Sequence, residues 1–139
     1  MLKDASVLVT NLTAPIENRR DQRDPNEIKV AMDGEGNALY FSREPIPSWK
    51  KASENVPMWK QVCIIPFRRD FLYTFNRLKP TPLEKAESID MLRAMENGYR
   101  VRMVKTRCRT YSVDTPQDLK EVEALMRRDI LYKKYAKRG

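Results

Sequence analysis

Carboxylates, guanidinium groups, lysines and tyrosines carry whatever chemistry this chain performs, because its sequence holds no histidine and only two cysteines. That composition excludes Cys/His zinc fingers, Ser-His and Cys-His nucleophilic sites and haem ligation through His. Asp114 stands directly before Thr115-Pro116, at a corner where a strand is expected to turn into a helix. Open α/β sheets bind ligands at the C-terminal ends of their strands, and a carboxylate there can hold a hard cation such as Mg²⁺. A lone Asp before a Thr-Pro helix start is, however, more often part of the turn. Glu84, Glu87 and Asp90 recur every three residues along one expected helix face. They either hydrogen-bond a polyol or form a solvated helix start favoured by the helix dipole. The four glycines, at 34, 36, 98 and 139, allow neither a P-loop nor a GxGxxG fingerprint.

Positioning such residues is the work of one domain, since 139 residues and 16.4 kDa suffice for one core and not for two. Lys plus Arg number 27 against 19 Asp plus Glu, a formal charge of +8, while 41% of residues are hydrophobic, a share that argues against disorder. The first apolar run, Val7-Leu8-Val9, is far shorter than a signal-peptide core or a membrane span. A soluble, cytoplasmic protein with no membrane partner is therefore expected, with Cys63 and Cys108 as two buried free thiols.

Ala5 to Leu12 reads as a buried strand, followed by a charged loop from Glu17 to Asp24. Glu27 to Met32 and Asn37 to Arg43 form a hairpin about Asp33-Gly34-Glu35-Gly36, whose Asp-Gly step supplies a positive φ. Residues 44–58, with three prolines and the pair Lys50-Lys51, form an extended arm that covers a site or reaches a partner subunit. Lys60 to Phe67 reads as a central strand and Arg69 to Leu78 as an amphipathic helix. Thr81-Pro82-Leu83-Glu84 opens a capped helix that runs to Asn97 and ends at Gly98. Tyr99 to Lys105 alternates as a half-buried strand. Thr110 to Val113 reads as a short strand, and Thr115-Pro116-Gln117-Asp118 starts a final helix. The tail at 127–139 holds six basic residues and one acid, as a solvated helix end would. From Lys60 onward strand and helix alternate, which predicts an α/β fold with a mainly parallel sheet and an antiparallel excursion.

Four ordered blocks carry a resemblance: Asp24-Pro25-Asn26-Glu27-Ile28-Lys29-Val30; Asn37-Ala38-Leu39-Tyr40-Phe41-Ser42-Arg43 with Pro45-Ile46-Pro47; Thr81-Pro82-Leu83-Glu84 with Glu87; and Ser112-Val113-Asp114-Thr115-Pro116-Gln117-Asp118-Leu119. In order and spacing, from about Ser6 to Met126, the chain resembles the 3-deoxy-manno-octulosonate cytidylyltransferases (CMP-Kdo synthetases) and their CMP-sugar synthetase relatives. The resemblance implies a Rossmann-like nucleotidyltransferase sheet with a dimerisation arm. It also implies a reaction in which CTP and a 3-deoxy-2-ulosonic acid give a CMP-sugar and pyrophosphate, with Mg²⁺ on the phosphates. Asp114 then looks like a catalytic, Mg²⁺-binding carboxylate, Arg43 like a clamp on the sugar carboxylate, and Glu84 or Glu87 like a sugar-hydroxyl contact. A bidentate guanidinium suits that carboxylate. The family's Arg-His-x-Gly run on the central strand reads Lys60-Gln61-Val62-Cys63 here, so Gln61 takes the place of a sugar-contacting His. The family's CTP-gripping loop and its Gln-Gly-Asp-Glu-Pro block have no counterpart, so the chain is expected to be the C-terminal, sugar-binding and dimer-forming part of such an enzyme. It is expected to lack activity alone and to act as a homodimer or with an N-terminal half.

Two other classes compete. A non-catalytic oligomerisation module derived from the same family would keep the arm without the chemistry. A nucleic-acid binder would use Lys133, Lys134, Lys137 and Arg138 with Tyr132 and Tyr135 interleaved, but no nucleic-acid motif accompanies them, and no such partner is expected.

Overall fold

Strands β1 (Val9–Ile16), β2 (Lys29–Met32), β3 (Ala38–Ser42), β4 (Met58–Val62) and β5 (Val101–Lys105) form one sheet in the order β3-β2-β4-β1-β5. The computed structural model describes residues 4–48, 50, 57–108 and 110–136. Its two units, Met1–Cys108 and Arg109–Gly139, are each described by themselves. Strand β1 runs parallel to β5 and antiparallel to β4, while β2 is antiparallel to both β3 and β4. The α/β class, the mixed open sheet and the central place of β4 agree with the sequence reading. The balance of directions does not lean parallel: β1 with β5 is the one parallel pair among the described strands. A parallel neighbour needs a long crossover. The helices α2 (Arg69–Arg77), α3 (Pro82–Glu87) and α4 (Met91–Glu96) all fall between β4 and β5, so the strand that follows them is the one laid parallel to β1.

The first strand lies four residues later than its apolar run predicts, because Thr13 to Ile16 find partners in Met58 to Gln61. Past β4 the chain still serves β1: Ile64 and Pro66 carbonyls accept from the Leu12 and Thr10 N–H groups at 3.1 and 3.0 Å. Within the charged segment after β1 lies a short helix, α1 (Arg19–Arg23), capped by the Asn18 side chain, which accepts from the Asp21 N–H. The hairpin places its positive φ at Gly36 (82°) and not at Gly34. This is a turn whose left-handed residue comes last, with the Asp33 carboxylate accepting from the Glu35 and Asn37 N–H groups. The hairpin tip also reaches the outer edge of β5, where the Met103 N–H donates to the Gly36 carbonyl at 2.8 Å.

Core residues Val9, Val30, Phe41 and Val101 of the sheet pack beneath Phe71 and Phe75 of α2 and Met91 and Leu92 of α4. Phe67 stacks against Phe71 and lies 5.3 Å from Phe75, and Tyr99 meets Phe71 edge-on at 4.7 Å. The helix expected from Thr81 to Asn97 is two helices. Ser88 adopts a left-handed φ of 56°, which costs roughly 1–2 kcal/mol in a non-glycine residue. The break turns Ile89 into the core, where it is buried with Met91 and Leu92, and that burial offsets the strain. Gly98 ends α4 with φ 81°, as expected.

In the second unit α5 (Pro116–Met126) begins with a reciprocal cap: the Thr115 N–H donates to the Asp118 carboxylate at 2.8 Å and the Asp118 N–H to the Thr115 hydroxyl at 3.2 Å. It is followed by α6 (Ile130–Ala136). Residues 110–113 are not a strand, since the described part of their own unit offers none to pair with. Cys63 and Cys108 are free thiols as expected, but both are exposed, each lying just past a strand end. In the arm, residues 49 and 51–56, including Lys51, lie outside the described residues.

Candidate functional site

The end of β3 and the end of α3 meet at Arg43 and Glu87. Strand β3 ends at Ser42, so Arg43 leaves the sheet where the α3–α4 break presents its carbonyls. Arg43 Nε donates to the Glu87 carbonyl at 2.7 Å and its terminal nitrogens donate to Ser88 O at 3.2 Å and Pro25 O at 2.8 Å. The Glu87 carboxylate accepts from the Arg43 N–H at 2.9 Å, the Ser42 hydroxyl at 2.8 Å and the Tyr40 hydroxyl at 3.3 Å. Burial, together with that carboxylate, raises the Tyr40 phenol above its ordinary value. Three segments are thus clasped: the 24–26 loop, the end of β3 and the helix break.

Beneath the clasp lies Lys29, fully buried on β2. Its ammonium donates to Asp24 O at 2.6 Å and Arg43 O at 2.7 Å, and burial lowers its pKa while the Asp24 and Glu27 charges partly oppose the shift. Its cross-strand neighbour Lys60 pairs with Glu27 at 2.8 Å, both side chains largely covered.

Gln61 lies on β4 opposite Thr13. Its side-chain amide donates to the side-chain oxygen Oδ1 of Asn11, whose own side-chain NH₂ donates to Val62 O at 2.7 Å, and the Thr13 hydroxyl donates to Lys60 O at 2.7 Å. Asn11 and Thr13 are both fully buried, so this polar row is satisfied inside the sheet.

Glu84 shares a helix with Glu87 but does not join the clasp. It forms a two-point ion pair with Arg93, which draws its carboxyl below the ordinary value, and it accepts from the Thr81 N–H at 3.2 Å. Asp90 is exposed at the start of α4.

Asp114 belongs to the second unit, is exposed, and its N–H donates to the Asp118 carboxylate at 3.2 Å. Among the described residues no cluster of three His, Cys, Asp or Glu side chains is placed to hold a metal. One exposed carboxylate fits Mg²⁺ in the way that ion is commonly held, by one or two carboxylates with water and substrate phosphates completing the shell.

The structure therefore joins Arg43 to Glu87, keeps Gln61 within the sheet and ties Glu84 to Arg93. Sequence reasoning missed Lys29, Asn11 and Thr13. The alternation Val9, Asn11, Thr13 in an otherwise apolar strand was a usable signal for buried polar groups. The Lys60–Glu27 pair had no local one.

The cytidylyltransferase family pattern matches residues 1–136. The 3-deoxy-manno-octulosonate cytidylyltransferase of Solibacter usitatus is 42% identical over 131 residues, 94% of this chain and 52% of that protein. The enzyme of the same name from Geobacter metallireducens is 41% identical over 138 residues, covering 91% and 54%. A solved structure, CMP:2-keto-3-deoxy-manno-octonic acid synthetase complexed with CTP, superposes with a TM-score of 0.82 at 34% identity, over 92% of this chain and 52% of that one. The chain thus spans about half the length of the relatives it matches. With the pattern matched almost end to end and the fold reproduced, the chain belongs to the cytidylyltransferase family.

Proposed function

We propose that this chain is the sugar-side part of a cytidylyltransferase that activates a 3-deoxy-2-ulosonic acid, Kdo or a close relative, as its CMP conjugate. The acceptor hydroxyl attacks the α-phosphorus of CTP, a new O–P bond forms, the bond to the β-phosphate oxygen breaks, and pyrophosphate leaves with the hydroxyl proton released. Positioning and charge stabilisation account for such catalysis. Mg²⁺, when bound, neutralises phosphate charge, and Asp114 is the residue that would hold it.

The observation that carries the reading is the Arg43–Glu87 clasp, set in a fold that superposes on a CTP-bound synthetase. Three guanidinium N–H groups lie on carbonyls, which fixes the plane of the group. One N–H on each terminal nitrogen is left to meet a carboxylate, and a pre-oriented fork loses little entropy on binding. Glu87 is a positioning residue for that fork, whereas the Gln61 amide, buried and donating to the Asn11 side chain, is engaged within the sheet. The half-length match supports a chain inactive alone, working with a complementary half or as a homodimer. The same half-length match favours, as a second reading, a non-catalytic oligomerisation module.

Titration calorimetry with Kdo tests the reading. Binding that weakens at least about tenfold in Arg43→Lys supports it, since Lys presents a point charge in place of a fork. Equal binding by both proteins, or none by the parent, contradicts it.

A further inference from the structure

The sheet buries the charged side chain of Lys29 completely. An ammonium held out of water costs free energy unless its donors are met, and a buried charge can often be replaced by an apolar side chain of similar size without loss of stability. Its presence therefore calls for a reason in what it holds. The ammonium donates to Arg43 O at 2.7 Å and to Asp24 O at 2.6 Å. The next carbonyl along that loop, Pro25 O, accepts from a terminal nitrogen of Arg43 at 2.8 Å. Lys29, Arg43, Pro25 and Asp24 thus close a circuit: the ammonium ties down the backbone of Arg43, and the guanidinium rests on the loop that the same ammonium holds. The loop is braced in turn, since the Asp24 carboxylate accepts from the Asn26 N–H at 2.9 Å and the Asp24 N–H donates to Arg20 O at 3.1 Å. Register supplies another anchor, because Lys29 lies opposite Ser42, the residue before Arg43, and the Ser42 hydroxyl donates to Glu87. Being fully covered, the ammonium meets no substrate itself and acts only through the groups it holds.

We infer that Lys29 is a positioning residue for sugar-acid recognition: it presets the Arg43 fork by fixing both the strand end that carries Arg43 and the loop on which the guanidinium lies. This role rests on the reading of Arg43 as the clamp on the substrate carboxylate. A fork already held in one plane loses less entropy on meeting a carboxylate than one that must be ordered as it binds. An apolar side chain at position 29 would fill the same space but leave Arg43 O and Asp24 O untethered, so the fork would keep its charge and lose its aim.

A double-mutant cycle read by titration calorimetry with Kdo tests this, with the circular dichroism of each protein checked against the parent. Lys29→Met is expected to weaken Kdo binding about fivefold to tenfold in the parent and by less than about twofold in the Arg43→Lys background, where no fork is left to position. A merely structural residue, or a charge acting on the ligand at a distance, would weaken binding alike in both backgrounds. Lys29→Gln, whose amide keeps N–H donors on a shorter stem, takes its place in the cycle if Lys29→Met does not fold. Equal losses in the two backgrounds, or a Lys29 variant that binds as the parent does, would overturn the role of Lys29 and leave that of Arg43 standing. A parent that does not bind Kdo, or an Arg43→Lys protein that binds it equally well, would overturn both.

Discussion

Arg43 and Glu87 grip each other in both directions: the Arg43 N–H donates to the Glu87 carboxylate at 2.9 Å, and the Arg43 guanidinium donates to the Glu87 carbonyl at 2.7 Å. Side chain meets backbone each way, so neither residue can be replaced by one of like charge without loss. Glu87→Gln keeps one oxygen for three donors and is expected to lose about 1–3 kcal/mol of stability in urea unfolding. A change within a few tenths would mean that the donors find water instead.

The buried ammonium of Lys29 sets an alkaline signature. Its folded pKa is lowered from 10.5 by burial, so between that lowered value and 10.5 the unfolded chain binds more protons. Stability is therefore expected to rise with pH through that window. Lys29→Met removes the rise and leaves the Asp24 and Arg43 carbonyls without their donor, at a cost of about 1–3 kcal/mol at neutral pH. Melting curves from neutral to strongly alkaline pH check both.

Arg93 produces a second signature of the same sign, at the acid end. Its hydrogen bonds hold the Glu84 carboxyl below 4.5, so the stabilisation is fully present above 4.5 and is lost as pH falls through the lower folded value. Glu84→Gln is expected to lower stability at neutral pH and to flatten the acid limb of the melting profile. A variant whose acid limb keeps the parent's slope would show that other carboxylates set it.

The second helix signal, the final helix cap and the hairpin were legible because each is written in neighbouring residues: Thr81-Pro82, Thr115-Pro116 with Asp118, and Asp33 to Gly36. What could not be read was decided by tertiary partners. The break at Ser88 follows from the pull of the core on Ile89, the shift of β1 from the strand it meets, and the loss of strand at 110–113 from the lack of one. In the site, residue types marked Arg43 and Glu87 but not that they bind each other, because the two lie 44 positions apart. Lys29 was invisible for the same reason, its acceptors being a loop carbonyl and a strand-end carbonyl.

Asp114 separates the catalytic reading from the structural one. Asp114→Asn keeps the size of the side chain and the N–H that donates to Asp118, so stability should change by no more than about 1 kcal/mol. In an enzyme completed by its other half, loss of a charged Mg²⁺ ligand is expected to cut turnover roughly a hundredfold or more. Full turnover at limiting Mg²⁺ would make Asp114 a turn residue only.

Pyrophosphate release from CTP, Mg²⁺ and Kdo tests the central claim most directly, measured with the chain alone and again after adding the half of the Geobacter metallireducens relative that it does not cover. No release is expected from either part alone and steady release from the mixture, cut roughly a hundredfold or more by Asp114→Asn. Steady release from the 139-residue chain alone, or a mixture that stays silent although the two parts bind, would contradict it.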